Sequence, residues 1–244
     1  MGEKDDVNRP FFVIFRVLVF NIIHMRDFEK FVRDRQGVSS TTLSRYASIY
    51  GGYINPTILE ERKMNVTQMD VFSRLMQDRI IFLGTEIDSD VANIIMGQLL
   101  WLQSNGKEDI TMMINSPGGL CYDGLAIYDT MKTLEVPIIT QCVGMAASMG
   151  AVLLSSGTPG QRLALPHSRV MIHQPIGGAR GQATDILIEA EQIKILKDEL
   201  CGILADNSGQ PLEKVLADCE RDHWMIAKEA QEYGLIDEII TPKK

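Results

Sequence analysis

Gly144-Met145-Ala146-Ala147-Ser148-Met149-Gly150-Ala151 joins an apolar run to a helix-forming segment, and the interpretation of the chain starts from it. Residues 136–143 before it predict a buried strand, and residues from Ser148 onward predict a helix. A serine at such a junction, among glycine and alanine, has an exposed hydroxyl, and the helix start supplies free N–H groups and a positive dipole end. These features suit a nucleophile in acyl transfer. They equally suit close packing of a helix on a sheet.

Strand and helix patterns alternate on both sides of this stretch. β-branched and aromatic runs predict strands, and apolar residues spaced three and four apart predict helices, one of them capped by Ser89. The predicted strands are residues 79–84, 110–114, 138–143, 162–165, 170–173 and 236–240. The predicted helices are residues 70–77, 89–102, 122–134, 148–154, 184–206, 211–220 and 227–233. This alternation predicts an α/β fold with largely parallel, buried strands.

The helix predicted from about Thr184 to Asp206 is longer than one domain needs to close its own core. Its apolar positions step by three and four residues. They are Ile186, Ala190, Ile193, Leu196, Leu200 and Ile203. Two interpretations remain open for this helix, an assembly element that protrudes from the domain and an ordinary core helix.

The composition excludes several classes of partner. A formal net charge of −8 argues against nucleic acid or an anionic membrane as the main partner. The apolar run 11–23 is too short to span a membrane and carries Arg16, and it lacks the features of a secretory signal. No Walker-type phosphate loop is found. The cysteines show no metal-ligand spacing and predict reduced residues of a cytoplasmic protein; they are Cys121, Cys142, Cys201 and Cys219.

The chain divides into two parts of different composition. Residues 1–52 predict a leader that resembles a propeptide, and residues 53–244 predict the compact domain. Within the leader, Met25 is a candidate alternative initiator. Intact-mass measurement of the native protein tests this hypothesis.

A serine nucleophile requires a general base, and the base requires an acceptor that orients it. Of the four histidines, His173 ends an apolar strand where a proline stops the pairing, so it fits either the rim of a site or a hydrogen-bonded structural histidine. His167 fits a surface turn, His24 lies in the leader, and His223 fits either surface or site. The candidate acceptors are not separated by spacing alone; they are Asp198, Asp206, Asp218 and Asp222.

Two glycine-rich segments could present backbone groups to a substrate. Ser116-Pro117-Gly118-Gly119 follows a predicted strand, where glycine allows an N–H to point into a cleft. With the N–H of Met149 it could form an oxyanion hole, or it could be a simple turn. Gly177 and Gly178 could form a bare strand edge that pairs with an extended peptide, or a flexible link.

Taken together, these motifs closely resemble the family of proteolytic subunits of the ATP-dependent Clp protease. The resemblance runs from about Ile54 to Ile240. The segments that carry it are Ile114–Gly119, Gly144–Ala151, Ser168–Pro175, Gly181–Ile186 and Glu220–Asp222.

The resemblance implies a serine endopeptidase with a crotonase-like α/β fold, in which repeated β-β-α and βαβ units form a spiral core. It implies that Ser148 is the nucleophile, that His173 is the base and that Asp222 completes the triad. It also implies that the backbone N–H groups of Gly119 and Met149 form the oxyanion hole.

The resemblance further implies how substrates and partners bind. Substrate would lie along Gly118, Ile176, Gly177 and Gly178. The long helix would be a protruding handle that interlocks two stacked heptameric rings. A separate hexameric AAA+ ATPase would unfold polypeptides and feed them into the ring chamber, and neither a metal nor a cofactor would be needed.

Two other functions compete with this interpretation. An acyl-CoA hydratase or hydrolase on the same fold would use paired N–H groups without the triad. A non-catalytic ring subunit would have lost triad residues, whereas Ser148, His173 and Asp222 are all present.

Overall fold

The computed structural model describes residues 57–62 and 65–241, with side-chain packing from Asp70 onward. The strands are β1 (Thr57–Arg62), β2 (Asn65–Asp70), β3 (Ile80–Leu83), β4 (Ile110–Ser116), β5 (Ile138–Ala147), β6 (Arg162–Ala164), β7 (Arg169–Ile172), β8 (His223–Ile226) and β9 (Glu238–Ile239). The helices are α1 (Val71–Gln77), α2 (Ser89–Ser104), α3 (Cys121–Thr133), α4 (Met149–Ser155), α5 (Ala183–Ser208), α6 (Leu212–Asp218) and α7 (Ala227–Tyr233). The predicted leader and its boundary at residue 52 lie outside the described residues, and they stay predictions.

A seven-stranded sheet forms the centre of the domain, and the prediction of an α/β fold is confirmed. Strands β3, β4, β5, β6 and β9 run parallel in that order. β5 is long enough to pair with β6 through residues 140–142 and then with β7 through residues 145–147. β8 pairs antiparallel with β7. The long strand thus holds two separate parts of the chain on one edge.

Helix α4 lies at the centre of the core because all seven of its residues are buried. It packs against β4, β5 and β7, and against α3 and α5. Alanine and glycine at its start allow this close approach, as at Gly150, where an added Cβ would lie 3.0 Å from the Ser116 carbonyl oxygen. The packing interpretation of the octapeptide is therefore correct for its helical half.

Three features differ from the sequence predictions. Asp88, and not Ser89, caps α2, since its Oδ1 accepts the Val91 N–H at 2.9 Å. β5 continues through Gly144 to Ala147 because β7 supplies a second pairing partner. Strands β1, β2 and β8 were not predicted, and they are short or polar segments without the apolar alternation of a core strand.

Helix α5 has two different environments along its 26 residues. Its C-terminal turns are buried through Leu200, Cys201, Leu204 and Ala205. Its first turns are exposed, including Leu187 at 70% and Ile188 at 56%. Only the C-terminal half therefore behaves as a core helix, and the N-terminal half leaves apolar side chains in solvent.

An ion pair between Arg162 and Asp237 joins β6 to the segment before β9. Arg162 is 8% exposed, its Nε donates to Asp237 Oδ2 at 2.9 Å, and its Nη1 donates to the Asn207 carbonyl at 2.7 Å. The hydrogen bonds from Arg162 hold the pKa of Asp237 below its ordinary value. The pair therefore fastens the end of α5 to the sheet.

We expect Asp237→Asn to lower the free energy of unfolding by about 3 kcal/mol at pH 7, because Arg162 would be left buried without its counter-charge. The depressed pKa makes this stabilisation fully present above the unfolded-state pKa of about 3.9. It is lost as the pH falls through the lower folded-state pKa, so the gap between the two proteins should close in acid. Urea unfolding at fixed protein concentration measures the difference in the free energy of unfolding between the two proteins.

Glu232→Gln is the matched control, since it removes a surface pair with Lys228 in which the glutamate is 66% exposed. Such a pair contributes at most about 1 kcal/mol. An equal loss of stability in both variants would contradict the structural role of Asp237.

Candidate active site

Ser148, His173 and Asp222 form one hydrogen-bonded chain, although they are far apart in sequence. The Oγ of Ser148 lies 2.9 Å from Nε2 of His173, and Nδ1 of His173 lies 3.1 Å from Oδ1 of Asp222. The His173 side chain is 13% exposed, whereas that of Asp222 is 60% exposed. The imidazole is thus held between a hydroxyl and a carboxylate.

The strand pairing explains how the histidine and the aspartate meet. His173 directly follows β7, Asp222 directly precedes β8, and Ile172 pairs with His223 in the antiparallel register. Residues that leave the same end of an antiparallel strand pair lie side by side. The unpredicted strand β8 is therefore the element that selects Asp222 among the candidate aspartates.

Ser148 is held at the junction between β5 and α4 by its own backbone. Its N–H donates to the Met171 carbonyl at 2.9 Å, and its carbonyl accepts from Ala151 at 2.9 Å as the helix begins. Its φ of 55° with a ψ of −125° is a conformation that L-residues rarely adopt. A strained turn of this kind is typical of an exposed nucleophile at a strand-to-helix junction.

We expect Ser148→Gly to be about 1 kcal/mol more stable than Ser148→Ala, because glycine adopts this backbone conformation without steric cost. Both variants lack the hydroxyl, so the comparison isolates the backbone. Thermal or urea unfolding of the two purified variants checks it. A glycine variant that is less stable than the alanine variant would show that Ser148 is not strained.

The segment Ser116-Pro117-Gly118-Gly119 after β4, which we call the glycine corner, lies directly against Ser148. A Cβ added to Gly118 would be 2.6 Å from Cβ of Ser148 and 3.0 Å from the Met149 nitrogen. A Cβ on Gly119 would be 2.1 Å from the Ile87 carbonyl oxygen. Among the described residues, the N–H groups of Gly119 and Met149 make no backbone hydrogen bond. Neither N–H therefore has a backbone acceptor among these residues, and Gly118 lies directly against Ser148 and Met149.

Ser116 and Ile87 hold this corner, and the sequence did not assign either a role. The buried Ser116 hydroxyl donates to the Thr85 carbonyl at 2.6 Å and accepts the Gly118 N–H at 3.1 Å. Ile87 donates its N–H to the Gly118 carbonyl at 2.7 Å. The position of Ser116 immediately before a Pro-Gly pair was a usable signal, since a serine hydroxyl often bonds to the backbone two residues on.

The glycine-rich link after His173 runs without regular secondary structure toward α5. Ile176 is 86% exposed, which is unusual for an isoleucine beside a site. Gly177 packs on α5, where a Cβ would be 2.5 Å from Ile193, while Gly178 has open space around it. The link therefore offers exposed residues that begin three positions after His173.

The remaining candidate histidines and aspartates have other partners or surroundings. His167 is exposed in a turn, as predicted, and His223 lies beside the Tyr233 ring at 6.0 Å. Asp218 binds Lys214 at 2.7 Å and accepts the Tyr233 hydroxyl at 2.8 Å. His24 lies outside the described residues.

The described residues contain no cluster of His, Cys, Asp and Glu side chains that could hold a metal ion. In the same part of the chain, no helix is both long and apolar enough to cross a membrane.

An α/β protein that brings a serine, a histidine and an aspartate into one hydrogen-bonded chain has the arrangement of a serine hydrolase. The family model described as Clp protease matches residues 62–243. The chain belongs to the Clp protease family.

Curated relatives cover most of the chain. The ATP-dependent Clp protease proteolytic subunits of Bacteroides fragilis (strain YCH46) and Bacteroides thetaiotaomicron are each 56% identical over 220 residues, which is 90% of this chain and 100% of each relative. The subunit of Porphyromonas gingivalis is 54% identical over 221 residues, again 90% of this chain and 100% of the relative.

Proposed function

We propose that this protein is a serine endopeptidase that hydrolyses unfolded polypeptides as the proteolytic subunit of an ATP-dependent Clp protease. The observation that carries the proposal is the hydrogen-bonded chain from Ser148 Oγ through His173 to Asp222. The family membership and the printed names of the relatives agree with it.

The geometry supports a two-step acyl transfer. His173 Nε2 accepts the proton from Ser148 Oγ as the oxygen attacks the peptide carbonyl, and an acyl-enzyme forms as the protonated imidazole gives its proton to the leaving amine. Water then attacks the ester, with His173 again as the base. Asp222 fixes the imidazole tautomer and stabilises the imidazolium in both steps.

The N–H groups of Gly119 and Met149 are the proposed donors to the oxyanion. Two observations support this role. Neither N–H bonds to a backbone acceptor in the described part of the chain, and the glycine corner lies close to Met149. Donors fixed before the reaction stabilise the developing charge without reorganisation, and each contributes about 3 kcal/mol.

We propose that the substrate binds as an extended strand along Gly118 and the link of Ile176, Gly177 and Gly178. The unpaired backbone of the link supports this role, because main-chain hydrogen bonds hold a peptide whatever its side chains are. Such binding suits an enzyme whose substrates are unfolded chains of varied sequence.

The relatives are named ATP-dependent, and this chain has no Walker-type loop, so we propose that a separate hexameric ATPase supplies unfolded chains. We further propose two stacked heptameric rings joined through α5. The exposed apolar side chains on the first turns of α5 support an interface there.

We expect Leu187→Asp to shift the assembly toward smaller species, because a carboxylate would replace a side chain that is 70% exposed in the single chain and apolar. Analytical ultracentrifugation at several concentrations measures the change. Glu189→Gln on the same helix is the control and should assemble normally. A Leu187→Asp protein that sediments like the unmodified protein would contradict the role of α5.

The two alternative functions lack a specific observation in their favour. A hydratase on paired N–H groups does not require the serine, histidine and aspartate chain, and a non-catalytic subunit does not require it either. A fluorophosphonate probe tests the proposal directly, since it reacts with an activated serine. We expect stoichiometric label on the tryptic peptide that contains Ser148; an assembled protein that takes up no label would overturn the proposal.

A further inference from the structure

Asp222 lies in a short loop whose own backbone gives it little support. The loop consists of residues 220–222 and joins α6 to β8. In the described part of the chain, neither Arg221 nor Asp222 donates its N–H to a backbone carbonyl. The Asp222 side chain is 60% exposed, and among the same residues its carboxylate hydrogen-bonds only to His173. The position of Asp222 therefore depends on contacts from outside the loop.

Gln174 supplies contacts of this kind through both its backbone and its side chain. The C-terminal end of the loop is held because Ile172 of β7 pairs with His223 of β8. The N-terminal end is held by Gln174, whose N–H donates to the Cys219 carbonyl at 2.7 Å. The Gln174 side-chain Nε2 also donates to the Glu220 carbonyl at 3.0 Å. A short loop that is fixed at both ends and inside has few conformations left.

The backbone of Gln174 is itself restricted, because Pro175 follows it. A residue before a proline is biased toward extended conformations. Little backbone freedom is therefore lost when Gln174 bonds to the loop. Gln174 is also half-buried, and a hydrogen bond in such surroundings is electrostatically stronger than one in water.

Lys197 of α5 makes a second contact with the loop, and this contact is the weaker one. Its Nζ lies 2.9 Å from Oε2 of Glu220, in an ion pair whose glutamate side chain is 61% exposed. Exposed ion pairs contribute little, because water screens the charges and both long side chains lose freedom. The pair also fixes the Glu220 side chain rather than the loop backbone. Gln174 is therefore the contact on which the position of Asp222 mainly depends.

We propose that Gln174 is a positioning residue, whose side chain holds the loop 220–222 so that the Asp222 carboxylate keeps its contact with His173. This role rests on the proposed peptidase function. Gln174 transfers no proton and acts through Asp222, which orients the imidazole and stabilises the imidazolium. The imidazolium forms only as the reaction proceeds, so a displaced Asp222 weakens the transition state more than the binding of substrate. The loss should therefore appear in kcat rather than in KM.

Gln174→Met tests the side chain and leaves the backbone contact to Cys219 in place. Methionine is close to glutamine in length and cannot donate to the Glu220 carbonyl. We expect kcat for a fluorogenic peptide to fall roughly tenfold, because a misplacement of about 1 Å can reduce turnover by a factor of about 100 and the loop should move less. KM should stay within about twofold. Gln174→Glu, which places a carboxylate against the same carbonyl, is a second variant and should lose at least as much.

Gln210→Met is the matched control for this substitution. Gln210 is also half-buried, and its Nε2 donates to the Tyr233 carbonyl at the end of α7 at 2.9 Å. Both kinetic constants of this variant should match those of the unmodified protein. An equal fall in kcat in the Gln174 and Gln210 variants, or no fall in either Gln174 variant, would overturn the proposal.

A double-mutant cycle separates positioning from general structural damage. The rate of fluorophosphonate labelling at Ser148 is measured with and without Gln174→Met, in the unmodified protein and in Asp222→Ala. A residue that acts through Asp222 should slow labelling roughly tenfold in the first background and less than about twofold in the second. Equal slowing in both backgrounds would show that Gln174 acts independently of Asp222, and the positioning role would be wrong.

Hydrogen exchange tests the hold on the loop without any measurement of activity. In the purified full-length protein, we expect the peptide that covers residues 219–223 to exchange faster in Gln174→Met and not in Gln210→Met. Unchanged exchange in Gln174→Met overturns the proposal. An unmodified protein that neither hydrolyses peptides nor takes up label counts against the peptidase function, while the exchange measurement still decides whether Gln174 holds the loop.

Discussion

Ser148→Ala should abolish peptide hydrolysis while leaving the fold intact. We expect kcat/KM to fall by a factor on the order of 10⁵ to 10⁶, because no other hydroxyl is hydrogen-bonded to His173 in the described part of the chain. Alanine lacks only the hydroxyl, whose one hydrogen-bond partner among the described residues is His173 Nε2, and the Ser148 backbone contacts to Met171 and Ala151 remain. Hydrolysis of a fluorogenic peptide and loss of the fluorophosphonate label measure the effect.

Met149→Ala is the matched control, since it changes the next side chain and keeps the N–H that we assign to the oxyanion hole. The Met149 side chain is 1% exposed and packs on Gly124, so the variant should lose about 2 to 5 kcal/mol of stability. Its activity per folded molecule should stay within a few-fold of the unmodified protein. Equal loss of activity in the two variants, corrected for folding, would contradict a backbone role for Met149.

Most of the elements that hold the site could be predicted from the sequence, because their signals are local. The strand that ends before Ser148, the helix after it and the glycine corner at Gly118 all have patterns with a period of two or about 3.6, or a turn composition. Helix α5 was predicted to within two residues at each end. The sequence did not predict what surrounds this helix, because the apolar spacing is the same whether a helix face packs on a core or on a partner.

Contacts between distant segments bring the site residues together, and no local sequence pattern predicts such contacts. Asp222 was one of four candidate aspartates until the resemblance favoured it, and its physical selection comes from the pairing of β8 with β7. β8 has only four residues, of which one is fully buried, so it carries no alternation strong enough to predict. The role of Ser116 depends on the same kind of contact between distant segments, since its hydroxyl bonds to the Thr85 carbonyl.

Gly118→Ala should reduce activity by a factor on the order of 10³ although it changes no group that takes part in proton transfer. The added Cβ would lie 2.6 Å from Cβ of Ser148 and 2.7 Å from the Ala147 carbonyl oxygen, and neither atom is the end of a flexible side chain. The corner or the serine must shift, and either movement separates the hydroxyl from the two N–H donors. Peptide hydrolysis and fluorophosphonate labelling should therefore fall together.

Backbone strain alone must be separated from this collision, since Gly118 has a φ of 95° that alanine tolerates poorly. Gly160→Ala provides the comparison because Gly160 has a similar φ of 86° and no atom within 4 Å of an added Cβ. It should cost about 1 kcal/mol of stability and leave kcat/KM unchanged. If Gly118→Ala retains activity within tenfold of Gly160→Ala, the corner can move away from Ser148 without consequence, and the assignment of Gly119 to the oxyanion hole loses its support.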